Sequence, residues 1–125
     1  MSIRTPLGRV LGLGSSGGGT GHWWSQRVTA VALALLGIWF VFALLSLDLS
    51  SRADVSGWLS RPLNAVLMVI LLGVAAYHSL LGTEVVVEDY TRGSARVLGR
   101  VALQFAHVVV AGVGIFAVLK LAFGG

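Results

Sequence analysis

The sequence predicts an all-α membrane protein with three transmembrane helices. The chain of 125 residues is 56% hydrophobic and only 11% charged, whereas charged residues make up about a quarter of a typical soluble domain. Its apolar residues fall into three long runs, and a helix needs about 20 such residues to span a bilayer. The predicted spans are residues 28–47, 62–83 and 101–123.

The first span contains no charged residue and follows a Gly-rich arm, residues 1–21, which we expect to be flexible. Within this arm, residues 12–17 match the GxGxxG pattern of dinucleotide-binding folds. That pattern requires a preceding strand in a βαβ unit, so we interpret it as part of the arm. The apolar run is longer than the core of a cleavable signal peptide. We therefore expect the span to be retained, within a three-helix transmembrane domain of residues 22–125.

The second and third spans have features typical of membrane helices. Pro62 suits the first turn of the second span, and Lys120 lies near the end of the third, where it can reach the interface. Polar connections, residues 48–61 and 84–100, separate the spans, and Trp58 in the first connection is a predicted interfacial anchor. Small residues along all three spans favour close packing in a larger helix bundle with a second subunit.

The basic residues predict the orientation. Six arginines lie in the N-terminal segment and the second connection: Arg4, Arg9, Arg27, Arg92, Arg96 and Arg100. Three basic residues lie on the other side: Arg52, Arg61 and Lys120. The positive-inside rule then puts the N-terminus in the cytoplasm and the C-terminus in the periplasm. Because these residues are scattered at the ends of apolar runs, the net charge of +4 does not indicate nucleic-acid binding.

His78 is a polar residue inside the second span, where the bilayer penalises polar side chains. The sequence contains no cysteine, so a metal cofactor would need His or carboxylate ligands. Neutral imidazole is a common axial ligand of haem iron, and Gly82, one turn on and on the same face, leaves room for a flat macrocycle. The alternative is a histidine that only bonds across helices. His107 in the third span either supplies a second ligand or packs while a partner chain supplies it, and we favour the partner.

Asp89 and Tyr90 come eleven residues after His78, where the second helix should leave the membrane. A phenol can donate a hydrogen bond to a quinone carbonyl, and a carboxylate can orient that group or relay a proton. If the helix continues, Asp89 lies about 16 Å along the axis and about 20° around it, on the face of His78. The alternative is a helix terminus at the interface. Glu84 and Glu88 share the region, and nothing in the sequence favours them.

A cluster of aromatic and basic residues precedes the first span and includes His22 and Arg27. The pattern is typical of an aromatic belt with an arginine anchor. Arg27 is also a candidate for binding an anionic group, such as a haem propionate or a lipid phosphate, because its guanidinium pairs with both. His22 is a second candidate for the same role.

At these residues the chain resembles the succinate dehydrogenase membrane anchor subunits, the D-type chains of complex II. His78, Gly82, Asp89 and Tyr90 match the HxxxGxxxxxxDY signature of that family. Residues 19–30, GTGHWWSQRVTA, are similar to the entry of the first helix in alphaproteobacterial members. The resemblance covers essentially the whole chain. It implies a subunit of the bacterial inner membrane with three partners: a flavoprotein, an iron–sulfur protein and a second, cytochrome b556-type anchor.

The resemblance also implies a role for each matched residue. His78 would be one axial ligand of the haem b iron, with the other ligand on the partner anchor. Tyr90 would hydrogen-bond ubiquinone and Asp89 would support it, while Arg27 matches a basic position close to a haem propionate. Succinate is oxidised on the flavoprotein, so the chain would be a non-flavin subunit of the enzyme and carry no dicarboxylate chemistry itself.

Two alternatives stay open at this point. A fumarate reductase anchor has the same architecture and would use menaquinone. A non-catalytic membrane scaffold would use His78 for packing and the Asp89–Tyr90 pair as interfacial residues. A haem absorption band separates the scaffold from the other two, and the quinone used separates succinate oxidation from fumarate reduction.

Overall fold

A computed structural model describes residues 5–10 and 19–124, without the side chains of residues 8 and 9. These residues contain no strand and form five helices: α1 (Pro6–Val10), α2 (Gly19–Ser46), α3 (Arg52–Leu59), α4 (Pro62–Tyr90) and α5 (Gly93–Ala122). Helices α2, α4 and α5 are long and apolar enough to cross a membrane. The predicted all-α fold with three spanning helices is therefore confirmed. The GxGxxG match and much of the Gly-rich arm lie outside the described residues.

The three long helices extend beyond the apolar runs that predict them. Helix α2 begins at Gly19, α4 continues to Tyr90 and α5 begins at Gly93. An apolar run marks the residues suited to hydrocarbon, whereas the backbone hydrogen-bond ladder continues into polar residues until a breaker ends it. Most of the predicted connection at residues 84–100 is consequently helical, and only two residues join α4 to α5.

The connection between α2 and α4 contains the short helix α3. The Ser51 hydroxyl oxygen caps this helix by accepting a hydrogen bond from the Asp54 N–H at 3.2 Å, which satisfies one of the unpaired donors of the first turn. Trp58 of α3 stacks on Trp39 of α2 with ring centroids 5.5 Å apart. Helix α3 is thereby attached to the end of α2.

Asp48 organises the turn that follows α2. Its carboxylate oxygen accepts hydrogen bonds from the Ser50 hydroxyl at 2.6 Å and the Ser50 N–H at 3.0 Å. These bonds favour the ionised carboxylate, with the hydroxyl the larger contributor, and so lower the pKa of Asp48 below its ordinary value. The turn lies in the connection between two spanning helices and directs the chain from α2 into α3.

Helix α4 is the central helix of the fold. It packs against α2 on one side and α5 on the other, and within the described residues no Cα atom of α2 lies within 8 Å of one in α5. Pro62 stands in the first turn of α4, as predicted. The α4–α5 contact is close because α5 presents glycine: a Cβ at Gly114 would lie 3.3 Å from Leu72 Cδ1, and one at Gly99 would lie 3.1 Å from Val87 Cγ1. Small residues at these points allow the two helices to approach.

The chain buries little apolar surface within itself. The buried hydrophobic residues of the described part are Ala43, Leu59, Ala65, Leu81 and Val118. Most other large apolar side chains of the long helices point outwards. Such helices are suited to contact with lipid or with other membrane-embedded chains.

Replacing Gly114 with leucine is expected to weaken the α4–α5 contact, because the new side chain must displace Leu72. Overpacking of this kind costs about 1–3 kcal/mol. Gly112→Leu is the matched control, since nothing lies within 4 Å of a Cβ placed there. Denaturant unfolding of the full chain in detergent, followed by tryptophan fluorescence, measures both variants. Equal stability of the two would contradict the close approach at Gly114.

Candidate functional site

The half-buried imidazole of His78 contacts α2 through both ring nitrogens. Its Nδ1 atom lies 2.9 Å from Thr29 Oγ1, and its Nε2 atom lies 3.4 Å from Nε2 of Gln26. Both partners belong to the first turns of α2. The ring of His78 is therefore held on the side of α4 that faces α2.

The bonds of the Thr29 hydroxyl favour one tautomer of His78. The hydroxyl has a single hydrogen, which it donates to the backbone oxygens of the preceding turn, Ser25 at 2.8 Å and Gln26 at 3.2 Å. The Thr29 oxygen is left to accept, so His78 donates from Nδ1–H. The neutral ring then keeps its lone pair on Nε2, towards which the Gln26 amide donates.

This arrangement fits the haem that the resemblance implies. Iron would need the Nε2 lone pair, and the bond from Nδ1–H to an acceptor is the usual support for a metal-bound histidine. Gln26 holds Nε2 weakly, because 3.4 Å is long for a hydrogen bond. Its Oε1 atom is also buried without a partner in the described part of the chain. The Gln26 amide passes over Gly82, where an added Cβ would lie 3.7 Å from Nε2 of Gln26.

A single histidine is what one side of a haem requires. Among residues 5–10 and 19–124 there is no group of three or more His, Cys, Asp or Glu residues arranged to hold a metal ion.

His107 lies on the other side of α4 and does not meet His78. Its Nδ1 atom donates to the Leu103 carbonyl oxygen at 2.8 Å, and its Nε2 atom accepts from the Ser79 hydroxyl at 3.2 Å. Both ring nitrogens thus have partners on α4 and α5. Of the two interpretations drawn from the sequence, this geometry supports a packing histidine.

The two residues predicted to bind an anionic group occupy different sides of α2. His22 is half-buried and precedes Gln26 by four residues, which puts it on the face that contacts His78. Arg27 is exposed, and its guanidinium carbon lies 5.5 Å from the centroid of the Trp23 ring, within the range of a cation–π contact. The guanidinium of Arg27 therefore lies on a different side of α2 from His22, which shares the face of Gln26.

Asp89 and Tyr90 end α4. The helix is continuous from His78 to Tyr90, which is the condition for Asp89 to share the face of His78, about 16 Å along the axis. Both residues are exposed, Tyr90 to 86%. Neither side chain is hydrogen-bonded to another described residue. They are available to an external group at the end of the central helix.

The other two acids of α4 face α5 and are paired there. Glu84 is buried, accepts a hydrogen bond from Gln104 at 2.8 Å and lies 3.8 Å from the Nε atom of Arg100. Glu88 pairs with Nη1 of Arg100 at 3.0 Å. Asp89 has no such partner in the described chain. This difference gives a physical reason to prefer Asp89 over Glu84 and Glu88 as the acid available to an external group. The sequence alone did not supply that reason.

The corner between α4 and α5 holds the end of α4. Gly93 adopts a φ of 60°, a conformation that glycine reaches without steric cost. Arg96 of α5 points back towards α4 and donates two hydrogen bonds to backbone carbonyl oxygens. Its Nε atom donates to that of Thr91 at 3.1 Å, and its Nη2 atom donates to that of Glu88 at 2.8 Å. The last carbonyl groups of a helix lack partners within it. Arg96 therefore caps the helix end that carries the aspartate–tyrosine pair.

Two partners of His78 were not identified as such from the sequence. Gln26 and Thr29 lie within the motif of residues 19–30, four and seven residues after His22. That spacing places all three residues on one face of α2, and it is the feature of the sequence that could have grouped Gln26 and Thr29 with His22. It does not reveal which face of α2 meets α4, and so the contact with His78 required the structure.

The fold and these positions define the class of protein. It is a helical multi-pass membrane protein with a histidine on its central helix. At the end of that helix stand an aspartate and a tyrosine whose side chains have no partner among the described residues. The chain belongs to the succinate dehydrogenase/fumarate reductase transmembrane subunit family, whose model matches residues 1–119. The resemblance inferred from the motifs is thereby confirmed.

Its relatives include proteins named succinate dehydrogenase hydrophobic membrane anchor subunit. The one from Rickettsia bellii is 34% identical over 89 residues, 70% of this chain and 70% of the relative. That from Rickettsia felis is 38% identical over 73 residues, 58% of this chain and 60% of the relative. That from Paracoccus denitrificans is 28% identical over 125 residues, 99% of this chain and 96% of the relative. No solved structure gave a significant match.

Substituting Arg96 with alanine is expected to loosen the end of α4, because two carbonyl groups lose a charged donor. For an exposed charge-assisted bond the loss is about 1 kcal/mol, or about five-fold more frequent local opening. Hydrogen–deuterium exchange at the amides of residues 89–91 measures this. Arg92→Ala is the control, since no hydrogen bond or ion pair of Arg92 is seen among the described residues. Unchanged exchange in Arg96→Ala would contradict the capping role.

Proposed function

We propose that the chain is the hydrophobic membrane anchor of a succinate:quinone oxidoreductase, complex II, in a bacterial inner membrane. Its role there is to ligate haem b together with a partner anchor and to help form the site where ubiquinone is reduced. The observation that carries the proposal is membership of the transmembrane subunit family over residues 1–119. The names of the relatives from Rickettsia and Paracoccus favour succinate dehydrogenase within that family.

In this complex the chain attaches a flavoprotein and an iron–sulfur protein to the membrane. Succinate is oxidised on the flavoprotein, so this chain contributes to electron transfer in respiration and the tricarboxylic acid cycle without touching the dicarboxylate. The outward-facing apolar side chains of its long helices support packing against lipid and a second, cytochrome b556-type anchor. The excess of arginine in the N-terminal segment and around the α4–α5 corner supports a cytoplasmic N-terminus and a periplasmic C-terminus.

In this proposal His78 would hold haem b from one side, and a residue of the partner anchor would hold it from the other. Haem b, when bound, takes up and releases an electron. The Nε2 lone pair of His78 would bind the iron, and Gln26 would give up its 3.4 Å contact with that nitrogen. The proposed partners of the propionates are Arg27, which follows Gln26 in α2, and His22, which lies one turn before Gln26. A cation or an N–H donor stabilises a carboxylate.

Tyr90 and Asp89 act on the quinone in this proposal. The phenol of Tyr90 donates a hydrogen bond to a carbonyl oxygen of ubiquinone, and the Asp89 carboxylate orients that group and relays a proton to it. Their exposure and lack of partners in the described chain support the assignment. The pairing of Glu84 and Glu88 with α5 supports Asp89 as the acid involved.

A fumarate reductase anchor is the second candidate, because the family description covers both enzymes. It would have the same architecture but would serve the reverse reaction, fumarate reduction, with menaquinone. Activity of the purified complex with ubiquinone and with menaquinone analogues separates the two. Faster turnover with the higher-potential ubiquinone supports the proposal, and activity with menaquinone alone supports fumarate reduction.

The haem assignment is tested by the reduced-minus-oxidised absorption spectrum of the purified complex. We expect a b-type α-band in the wild type that is lost or shifted in His78→Ala, because the iron loses a ligand. His107→Ala is the matched control, since that intramembrane histidine is bonded to Leu103 and Ser79. A band that is lost in His107→Ala and kept in His78→Ala would reverse the assignment. A wild type without any band would leave a haem-less anchor or a scaffold, which quinone reductase activity then distinguishes.

Tyr90→Phe is expected to reduce quinone reductase activity by up to about ten-fold, the effect of losing one hydrogen bond. Succinate reduction of a soluble dye should persist, because it does not use the quinone. Tyr77→Phe, which removes the other phenol of α4, is the control and should leave both activities near wild type. Parallel loss of both activities in Tyr90→Phe would indicate failed assembly and argue against a local role.

A further inference from the structure

We propose that Thr29 is a positioning residue for the iron ligand. Its hydroxyl oxygen accepts the hydrogen of His78 Nδ1, keeps the lone pair on Nε2 and raises the electron-donating strength of that nitrogen. This inference rests on the proposed function, since it concerns the ligand of haem b. It adds Thr29 of α2 as a direct partner of His78, whose own signature, HxxxGxxxxxxDY, lies on α4.

The burial and bonding of Thr29 carry the inference. Thr29 is 8% exposed, which makes it one of two buried polar or charged residues in the described chain. Its oxygen lies 2.9 Å from His78 Nδ1, and its hydrogen is already directed to the Ser25 and Gln26 backbone oxygens. Donor counting favours one direction for this bond: the hydroxyl hydrogen is used within α2, and His78 donates to the oxygen from Nδ1–H.

The position of the Thr29 oxygen is rigid, which suits a residue that orients another. A β-branched side chain in a helix has few χ1 rotamers, and the bond to the preceding turn selects among them. The imidazole ring of His78 therefore meets an acceptor at a fixed point on α2. Rotation of the ring by half a turn would bring carbon to that point and leave a polar N–H without a partner in a medium that offers none.

The two nitrogens of His78 are held unequally, as a ligand site requires. The contact with Thr29 is 2.9 Å, whereas the contact of Nε2 with Gln26 is 3.4 Å and leaves Gln26 Oε1 without a partner. Nε2 is therefore the nitrogen that would bind the iron, while Thr29 would keep its contact with Nδ1. Partners of this outer kind typically change metal affinity by about 10–100-fold when they are removed.

The test compares variants of Thr29 in the purified complex. Thr29→Val keeps the shape and removes the hydroxyl, and Thr29→Ser keeps the hydroxyl. Thr83→Val is the matched control, because Thr83 of α4 makes the same bonds to its own preceding turn, to Ser79 at 2.9 Å and Leu80 at 3.1 Å, and does not contact His78. The readouts are haem stoichiometry, the electron paramagnetic resonance signal of the ferric haem and the midpoint potential.

We expect Thr29→Val to lower haem affinity about ten-fold or to shift the iron towards its reduced form about five-fold. The shift has this sign because a weaker donor stabilises ferric iron less. Thr29→Ser and Thr83→Val should resemble the wild type. If Thr29→Val does not assemble, Thr29→Ala is measured instead, and the potential is read from whatever haem it retains.

Wild-type haem content, resonance signal and potential in a hydroxyl-free Thr29 variant would overturn the inference and leave the haem assignment standing. A Thr29→Ser variant as altered as Thr29→Val would also overturn it, because the effect would then follow shape rather than the hydroxyl. A complex without haem, or one whose haem is indifferent to His78→Ala, would remove the proposed haem function and this inference together. The His78 variant thus tests the haem assignment, and the Thr29 variants test the positioning role of Thr29 separately.

Discussion

The bilayer offers no water to polar groups, and this constraint organises the whole chain. A buried polar side chain must find a partner on a neighbouring helix or leave the membrane. Three polar side chains of α4 are bonded in this way: His78 to Thr29, Ser79 to His107 and Glu84 to Gln104. Because these bonds point to both neighbours, they fix the rotation of α4 between α2 and α5 in a chain that buries few apolar side chains of its own.

The fixed rotation of α4 sorts its polar residues by function. The face towards α5 contains the paired carboxylates of Glu84 and Glu88, whose charges are balanced by Arg100 and by a hydrogen bond from Gln104. The face towards α2 contains His78, whose ring is oriented but incompletely bound at Nε2. At the helix end Asp89, which has no side-chain partner among the described residues, emerges on that same face. Structural pairing and candidate chemistry are thus separated on opposite sides of one helix.

The sequence predicted the three spanning helices because membrane thickness is encoded directly in the length of apolar runs. It predicted His78 and the Asp89–Tyr90 pair because polar residues stand out against that background. It did not predict the helix ends at Gly19 and Tyr90, since hydrogen bonding continues past the apolar run. Thr29 was hidden for a different reason: threonine is ordinary in a membrane helix, and its importance comes only from which face of α2 meets α4.

Because α4 is unbroken, the relation between its two candidate functional positions, His78 and Asp89, depends on rotation around the helix as well as on distance along it. Each residue inserted between Gly82 and Asp89 would lengthen the helix by only about 1.5 Å but rotate everything beyond it by about 100°. Asp89 would swing away from the face of His78, Tyr90 would turn with it, and an insertion before Glu88 would separate Glu88 from Arg100. A substitution along this segment leaves that relation unchanged, whereas a change in its length by a single residue would have to be compensated around the whole helix.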